Sequence, residues 1–294
     1  MSKKIFIATA NDSQRKLLKF LTAIYKKVPL SKLHKTIRNG DIKINSKRIK
    51  DHNYLIQQND SIEIFGLNKN DTTLTEFNKK ISLKSEIIYE DQNIILINKN
   101  EGINVHGSLN SLDEQVYSYL QFKQLTAFKP SHVGRLDKIT SGLIVYAKNY
   151  ETLVELNQAN KFFDKEYIFV PQKPIKTGKY SFYITKNDEQ KRMYISANQT
   201  KNSQLALTNI EFKQGRYYAK ILTGKKHQIR ATCAYLNSPI VGDTKYGAKP
   251  FKRVLLHSYS LTFKNLNNNL SYLNNKTFTC KPKNWVQEKN ENDW

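Results

Sequence analysis

The sequence is poor in cysteine and in long apolar runs, and both shortages limit what the protein can be. Its 294 residues include two cysteines, Cys233 and Cys280, which are too few for a disulfide framework and lack the paired spacing of a zinc site. We therefore expect a cytoplasmic protein without a bound metal. No apolar run approaches about 18 residues and no charged-then-apolar leader opens the chain, so neither a membrane span nor a secretion signal is predicted.

Acidic side chains are also scarce, and this shortage points to the kind of partner. The chain has 25 Asp and Glu residues against 48 Lys and Arg residues, a formal net charge of +23. A charge of this sign and size indicates a polyanionic partner, and nucleic acid is the first candidate.

The positive charge is concentrated at the N-terminus. Residues 1–50 contain 14 basic side chains and two aspartates, so this segment is interpreted as a separate binding module. Lys32, Lys35 and Arg38 recur three residues apart on one helical face, where they could neutralise backbone phosphates without reading base identity. The alternative interpretation of the same pattern is an ordinary solvated lysine-rich face.

Local patterns in this segment predict two helices and a hairpin. Apolar spacing predicts a first helix through Leu17 and Val28, and a second from Ser31, as its N-cap, to Gly40. Alternating polar and apolar residues around Asn45 then predict a short hairpin.

Residues 13–65 resemble the small RNA-binding domain named after small-subunit ribosomal protein S-four, with its helix pair and the following strands. The resemblance implies a small α/β RNA-binding domain over residues 1–66, followed by a polar linker over 67–84. Its candidate RNA-binding side chains are Lys32, Lys35, Arg38 and Lys43.

One carboxylate stands out in the second part of the chain. Asp137 follows Arg135 by two residues and precedes the apolar run 143–147, which reads as a core strand fed by a turn at 140–142. Asp137 would then lie on a loop held by a rigid scaffold. An ordinary loop aspartate that accepts backbone N–H groups is the alternative.

Residues 87–264 resemble the RluA-type pseudouridine synthases, because several separated motifs occur in the family's order. The matching segments are Tyr89-Glu90-Asp91, Asn98-Lys99-x-x-Gly102, Arg135-Leu136-Asp137-x-x-Thr140-Ser141-Gly142-Leu143, Lys165-Glu166-Tyr167, Leu222 to Arg230, Pro239 to Asp243, Tyr246-Gly247 and Leu255-Leu256-His257. The chain departs from the pattern at Asn100, where the family usually has proline. It departs again at Gly134, where a histidine usually stands and where Gly-Arg-Leu-Asp is closer to the RsuA-type relatives.

The resemblance implies an α+β catalytic domain on a mixed, mostly antiparallel sheet over residues 85–284, with a tail over 285–294. It also implies an isomerase that needs no cofactor or metal. The histidines His106, His132, His227 and His257 are accordingly interpreted as structural or RNA-facing.

The same resemblance assigns the site. Asp137 is expected to act at the ribose as nucleophile or base, two roles that the sequence does not distinguish. Arg230 is its expected partner, since a guanidinium favours the charged carboxylate and holds it in place. Tyr167 is expected to stack on the target base, and Arg135 to fill the gap that the displaced uridine leaves.

Large-subunit ribosomal RNA is the favoured substrate, because RluC- and RluD-like members combine these two domains, and a monomer is expected. A transfer RNA substrate is one alternative. The other is a non-catalytic RNA-binding protein of ribosome assembly, which would have no need to keep Asp137, Tyr167 and Arg230 together.

Overall fold

The computed structural model describes residues 3–67, 81–283 and 285. Most of the predicted linker and, apart from Trp285, the predicted tail therefore lie outside the described residues. The first elements are β1 (Lys3–Ile7), α1 (Leu17–Ile24), α2 (Leu30–Arg38), β2 (Ile42–Ile44), β3 (Lys47–Arg48) and β4 (Ser61–Phe65). After residue 80 come β5 (Glu86–Glu90), β6 (Ile94–Lys99), α3 (Leu112–Tyr119), β7 (Ser131–Val133), β8 (Ser141–Ala147), α4 (Tyr150–Ala159), β9 (Asp164–Phe169), β10 (Gly178–Asn187), β11 (Arg192–Ser196), β12 (Gln204–Lys213), β13 (Arg216–Ile221), α5 (Gln228–Tyr235), β14 (Leu256–Thr262) and β15 (Thr277–Thr279).

The N-terminal elements form a four-stranded antiparallel sheet in the order β1-β4-β2-β3, with α1 and α2 packed into one core with it. The hairpin predicted around Asn45 is present between β2 and β3, and both of its turn residues, Asn45 and Ser46, have positive φ, as a tight two-residue turn requires. The sequence patterns did not predict β1, since Phe6 is its only buried residue.

Two details of the predicted helix pair are wrong. Ser31 is not the N-cap of α2, because Pro29 occupies that position and the helix begins at Leu30. Val28 is buried but lies outside α1, which ends at Ile24. The proline explains both findings, since it disfavours helical backbone at the residue before it and sets its own φ for the start of a helix.

The remaining strands form an eleven-stranded sheet with the main order β11-β10-β12-β13-β9-β14-β8-β6-β5, while β15 pairs with β14 and β7 with β8. Its pairings are antiparallel except that between β8 and β14, among the described residues. Strands β6 and β8 are buried along their whole length, which explains their nearly continuous apolar sequences. The predicted α+β class with a mixed, mostly antiparallel sheet is confirmed.

The parallel pair β8–β14 depends on Gly142. Ser141 and Gly142 belong to β8, so the predicted turn over 140–142 is wrong beyond Thr140. Gly142 has φ +111°, and a Cβ there would lie 2.2 Å from the Ser258 carbonyl oxygen. Only glycine lets these backbones approach so closely, and the approach fixes where the loop before β8 leaves the sheet.

No helix among the described residues is long and apolar enough to cross a membrane.

Candidate active site

Asp137 lies on the loop between β7 and β8, and backbone contacts fix that loop. The Asp137 carbonyl accepts a hydrogen bond from Thr140 N at 3.1 Å, and the neighbouring Lys138 carbonyl accepts one from Gly102 N at 2.8 Å. The carboxylate is partly open, with 27% of the side chain exposed. Asp137 is therefore a held carboxylate that a ligand can still reach.

Lys99 supports the same loop from inside the protein. It is fully buried, and its Nζ donates to the carbonyls of Asn100, Ile103 and Lys138 at 3.0, 3.1 and 3.3 Å. Burial lowers the pKa of Lys99 to about 8, the charge of Asp137 opposes this shift, and that of Arg253 adds to it. The buried ammonium thus ties the segment after β6 to the Asp137 loop.

Arg230 in α5 bridges two carboxylates. Its Nη1 donates to Asp137 Oδ2 at 2.8 Å, while its Nε and Nη2 donate to the two oxygens of Asp243 at 2.7 and 2.9 Å. Burial by itself would lower the pKa of Arg230, but Asp243 and Asp137 outweigh it and raise the pKa. The expected partnership of Arg230 with Asp137 is present, and Asp243 fixes the plane of the guanidinium.

Tyr167 lies in β9, between β13 and β14, and lines the same cleft as Asp137. Burial raises the pKa of Tyr167 to about 12, the charge of Asp137 adds to the shift, and a hydrogen bond with Ser258 opposes it. The phenol is therefore protonated at neutral pH and can act as a hydrogen-bond donor or proton donor beside an aromatic face.

His227 is a further neighbour of Asp137, with its Nε2 3.5 Å from Asp137 Oδ2. Its Nδ1 lies 2.9 Å from Tyr246 Oη, and that oxygen accepts a hydrogen bond from Met193 N at 3.0 Å. In the tautomer that lets the phenol donate to Nδ1, the imidazole proton is on Nε2, facing Asp137. Burial lowers the pKa of His227 to about 4, with Asp137 opposing and Arg230 adding to the shift, so the ring is neutral at pH 7.

The cleft around these groups has a volume of about 690 Å³, within the usual range for small-molecule sites. Arg135 is exposed at this cleft and lines it together with Lys138, Lys225 and Lys226. The structure therefore brings together the predicted residues Asp137, Tyr167, Arg230 and Arg135 in a cleft with a basic lining.

The other predicted RNA-binding residues lie elsewhere. Lys32, Lys35 and Arg38 are exposed on α2, and the half-buried Lys43 on β2 has its Nζ 5.7 Å from the centroid of the Phe65 ring. None of the four lines the cleft. The three cations of α2 lie on the exposed side of that helix, whereas Lys43 alternates with the buried Ile42 and Ile44 and so lies on the sheet face away from the helices.

Three neighbours of the predicted site residues carried no predicted role: Asp243, Tyr246 and Lys99. Each lies within a motif that the sequence matched, and that match was the available signal. His227 was interpreted as structural or RNA-facing, and it does line the cleft. No group of three or more potential metal ligands occurs among residues 3–67, 81–283 and 285.

Comparisons with known proteins agree on the class of protein. The family model described as RNA pseudouridylate synthase matches residues 93–235. A Mycoplasma capricolum protein named as an uncharacterized RNA pseudouridine synthase is 36% identical, over 97% of this chain and 99% of that protein. The ribosomal large subunit pseudouridine synthase C of Haemophilus influenzae is 30% identical, over 91% of this chain and 89% of that protein.

The structure of human RNA pseudouridylate synthase domain containing 1 shares the fold, with a TM-score of 0.55 and 21% identity over 71% of this chain and 86% of that chain. The chain therefore belongs to the RNA pseudouridine synthase family, and within it to the RluA type that its motifs predicted.

Proposed function

We propose that this protein isomerises specific uridines of large-subunit ribosomal RNA to pseudouridine. The observation that carries the proposal is the partly open carboxylate of Asp137, held at 2.8 Å by Arg230 in a basic cleft that Tyr167 also lines. The choice of RNA is supported by relatives named ribosomal large subunit pseudouridine synthase C, which are 28–31% identical over 83–91% of this chain.

The reaction is balanced without an external reagent. The bond between uracil N1 and ribose C1′ breaks, the detached base turns, and a bond forms between C5 and C1′. The proton on C5 is lost to a base, and N1 gains a proton from solvent. Asp137 acts at the ribose, either by bonding to C1′ or by removing a sugar proton, and is regenerated in both cases.

Arg230 and Tyr167 have supporting roles in this proposal. Arg230 holds Asp137 in one orientation, because Asp243 fixes the rest of the guanidinium. Tyr167 stacks on the uracil, and its hydroxyl, which is protonated at neutral pH, is available for the proton transfer of the final step. Arg135, exposed at the cleft, occupies the space that the flipped uridine vacates.

The N-terminal elements act as an RNA-binding domain of the S-four type in the same proposal. A helix pair packed on a small sheet, with the exposed cations Lys32, Lys35 and Arg38 on α2, supports this assignment. Lys43 lies on the face of β2 away from the helices, where it would make a separate phosphate contact. Such contacts would bind phosphates and position the RNA rather than select the uridine.

The protein is proposed to work as a monomer in the cytoplasm. Both cysteines are free and buried, as expected for a protein made in a reducing compartment.

The deciding experiment incubates wild type and Asp137→Asn with unmodified large-subunit ribosomal RNA and maps pseudouridine by carbodiimide labelling and primer extension. New stops are expected with wild type and not with Asp137→Asn, because the amide is neither a nucleophile nor a base. Asp188→Asn serves as the control, since Asp188 is exposed outside the cleft.

Stops with both Asp137→Asn and wild type would remove Asp137 from the chemistry. Absence of stops with every protein on ribosomal RNA, followed by stops on transfer RNA, would contradict the proposed substrate while keeping the reaction. Absence on both RNAs would leave RNA binding as the function.

A further inference from the structure

A second cavity, of about 310 Å³, lies where the N-terminal elements meet the large sheet. Arg15, Ala23 and Lys26 line it from the N-terminal side, and residues between Tyr117 and Leu153 line it from the other. It shares no lining residue with the active-site cleft, so it is a separate feature.

Hydrogen bonds join the two walls of this cavity. Asn11 Oδ1 accepts a hydrogen bond from Tyr150 N at 2.9 Å, and the buried Asp12 accepts one from Ala127 N at 3.3 Å. Ala127 also belongs to the hydrophobic core of the N-terminal elements. The cavity is therefore a formed site whose shape depends on both parts of the chain.

Its lining is rich in positive charge. Arg15 and Lys26 face Lys129 across the junction, and the proximity of Lys26 helps burial to lower the pKa of Lys129 to about 8. Burial lowers the pKa of Arg15 and of Lys129, but the nearby carboxylate of Asp12 opposes the first shift and that of Asp113 opposes the second. Three cations against two carboxylates still leave an excess of positive charge, which a bound anion would lower.

Two buried polar atoms belong to side chains of this lining, one on Arg15 and one on Gln124. Arg15 is 7% exposed and Gln124 is 8% exposed, yet Arg15 Nε and Gln124 Oε1 have no hydrogen-bond partner within the part of the chain that the structure describes. A buried donor and a buried acceptor left in this state are costly unless a ligand satisfies them. A ribose-phosphate unit would satisfy both atoms once the two side chains turn toward the cavity, because its phosphate accepts and its 2′-hydroxyl can donate.

Aromatic rings complete the cavity. The guanidinium carbon of Arg15 lies 4.0 Å from the centroid of the Tyr150 ring, and Lys129 Nζ lies 5.9 Å from that of Tyr117. Phe128 is a further lining residue. Rings beside cations form the combination that proteins use to hold a nucleic-acid strand along its backbone.

We propose that this junction cavity, lined by Arg15, Lys26, Gln124 and Lys129, binds the sugar-phosphate backbone of the substrate RNA. The inference rests on the proposed function for its ligand. It gives the N-terminal elements a second role, because they complete a backbone-binding site jointly with the catalytic part and so fix the RNA relative to Asp137.

The test compares wild type with the double variant Lys26→Gln/Lys129→Gln. The matched control is Lys179→Gln/Lys201→Gln, which removes the same charge from exposed positions outside both cavities. Affinity for a fluorescent ribosomal RNA fragment is measured from about 50 to 300 mM salt. The slope of log K against log salt should fall by about 1 to 2 in the junction variant, since each lost phosphate contact accounts for about 0.7 to 0.9.

In steady-state kinetics, the junction variant Lys26→Gln/Lys129→Gln should have a KM for the RNA about tenfold or more above that of wild type. Its kcat should stay close to the wild-type value. Its Tm should not fall below that of wild type, because substitution removes a desolvated cation and a repulsive neighbour. A merely structural role for these lysines would lower Tm instead and leave the salt slope intact.

Equal slope changes in the junction and control variants would overturn the proposal, since net charge alone would then explain them. Unchanged slopes in the junction variant would overturn it as well. If inorganic phosphate at about 10 mM raises the Tm of wild type but not of the junction variant, while both bind RNA equally, the cavity is a free-anion site instead. A slope change in a protein that makes no pseudouridine would support the RNA site and contradict the proposed function.

Discussion

At the scale of single residues, the site depends on one arginine between two carboxylates. The sequence motifs identified Asp137 and Arg230 because each lies in a segment that the family shares. They did not identify Asp243 as the second carboxylate on Arg230, because this pairing needs the chain to fold back from α5. The ion pair of Arg230 and Asp243 matters because it is buried. The two residues are 3% and 1% exposed, so the pair is shielded from water.

The prediction at this scale treats Asp243 as a positioning residue. Asp243→Asn should lower kcat about 10- to 100-fold with little change in KM for RNA, because Arg230 loses the anchor that orients its contact with Asp137. The measurement is release of tritium from C5-labelled uridine in multiple-turnover assays over a range of RNA concentrations. Asp188→Asn is the control, and Tm is recorded because loss of a buried ionic partner costs about 3 to 5 kcal/mol.

A kcat for Asp243→Asn equal to that of Asp188→Asn would show that Arg230 orients Asp137 without an anchor. A rise in KM with unchanged kcat would place Asp243 in RNA binding instead.

At the scale of elements, strands with a strong local sequence pattern were predictable. Strand residues that depend on pairing with a segment far away in the sequence were less so. Continuous apolar residues predicted β8, and the turn at Asn45 predicted the hairpin of β2 and β3. The extent of β8 was underestimated, because Ser141 and Gly142 look like turn residues locally. They are in a strand because β14 pairs with both of them and β6 pairs with Gly142, and no local pattern contains that information.

Gly142 offers a test at this scale. Gly142→Ala should lower the free energy of unfolding by about 3 kcal/mol or more, because the new Cβ would meet the Ser258 carbonyl oxygen as well as a positive φ. Gly215→Ala is the matched control, since its φ is +71° but nothing lies within 4 Å, and it should cost about 1 kcal/mol. Urea unfolding monitored by circular dichroism measures both.

Equal losses in the two glycine variants would mean that β8 and β14 separate easily, and that backbone conformation alone makes glycine necessary.

At the scale of the whole molecule, stability should depend on pH through buried histidines. Burial lowers the pKa of His257 to about 4, an effect that Arg253 strengthens and the Cys280 carbonyl opposes. Ser141 Oγ accepts from Arg253 and lies 2.8 Å from His257 Nδ1, while Nε2 lies 2.9 Å from the Cys280 carbonyl oxygen. The ring is therefore neutral with its proton on Nε2.

The lowered pKa of His257 determines how stability changes with pH. Between about pH 6.5 and pH 4 the unfolded chain binds a proton at His257 that the folded chain does not, so stability falls as the pH is lowered through this range. The loss approaches about 1.4 kcal/mol per pH unit and about 3 kcal/mol in all for this residue. His227 should contribute in the same direction.

His257→Asn should flatten the dependence of the unfolding free energy on pH between about 7 and 4, whatever its effect on the absolute value. Urea unfolding at several pH values measures the slope. His34→Asn should leave the slope as in wild type, since His34 is exposed. A slope unchanged by His257→Asn would show that folding does not lower the pKa of His257.

The sequence by itself determined the class of protein and the residues on which its chemistry is expected to depend. Local spacing, turn residues and ordered motifs suffice for that, because they are properties of short segments. The tertiary structure decided which charges meet. Asp137 and Arg230 are 93 positions apart, and the junction cavity joins Arg15 to Lys129 across two separate sheets. Such encounters depend on how the sheets and helices pack together, and the hydrophobic patterns that drive the packing do not state which polar side chains it will bring into contact.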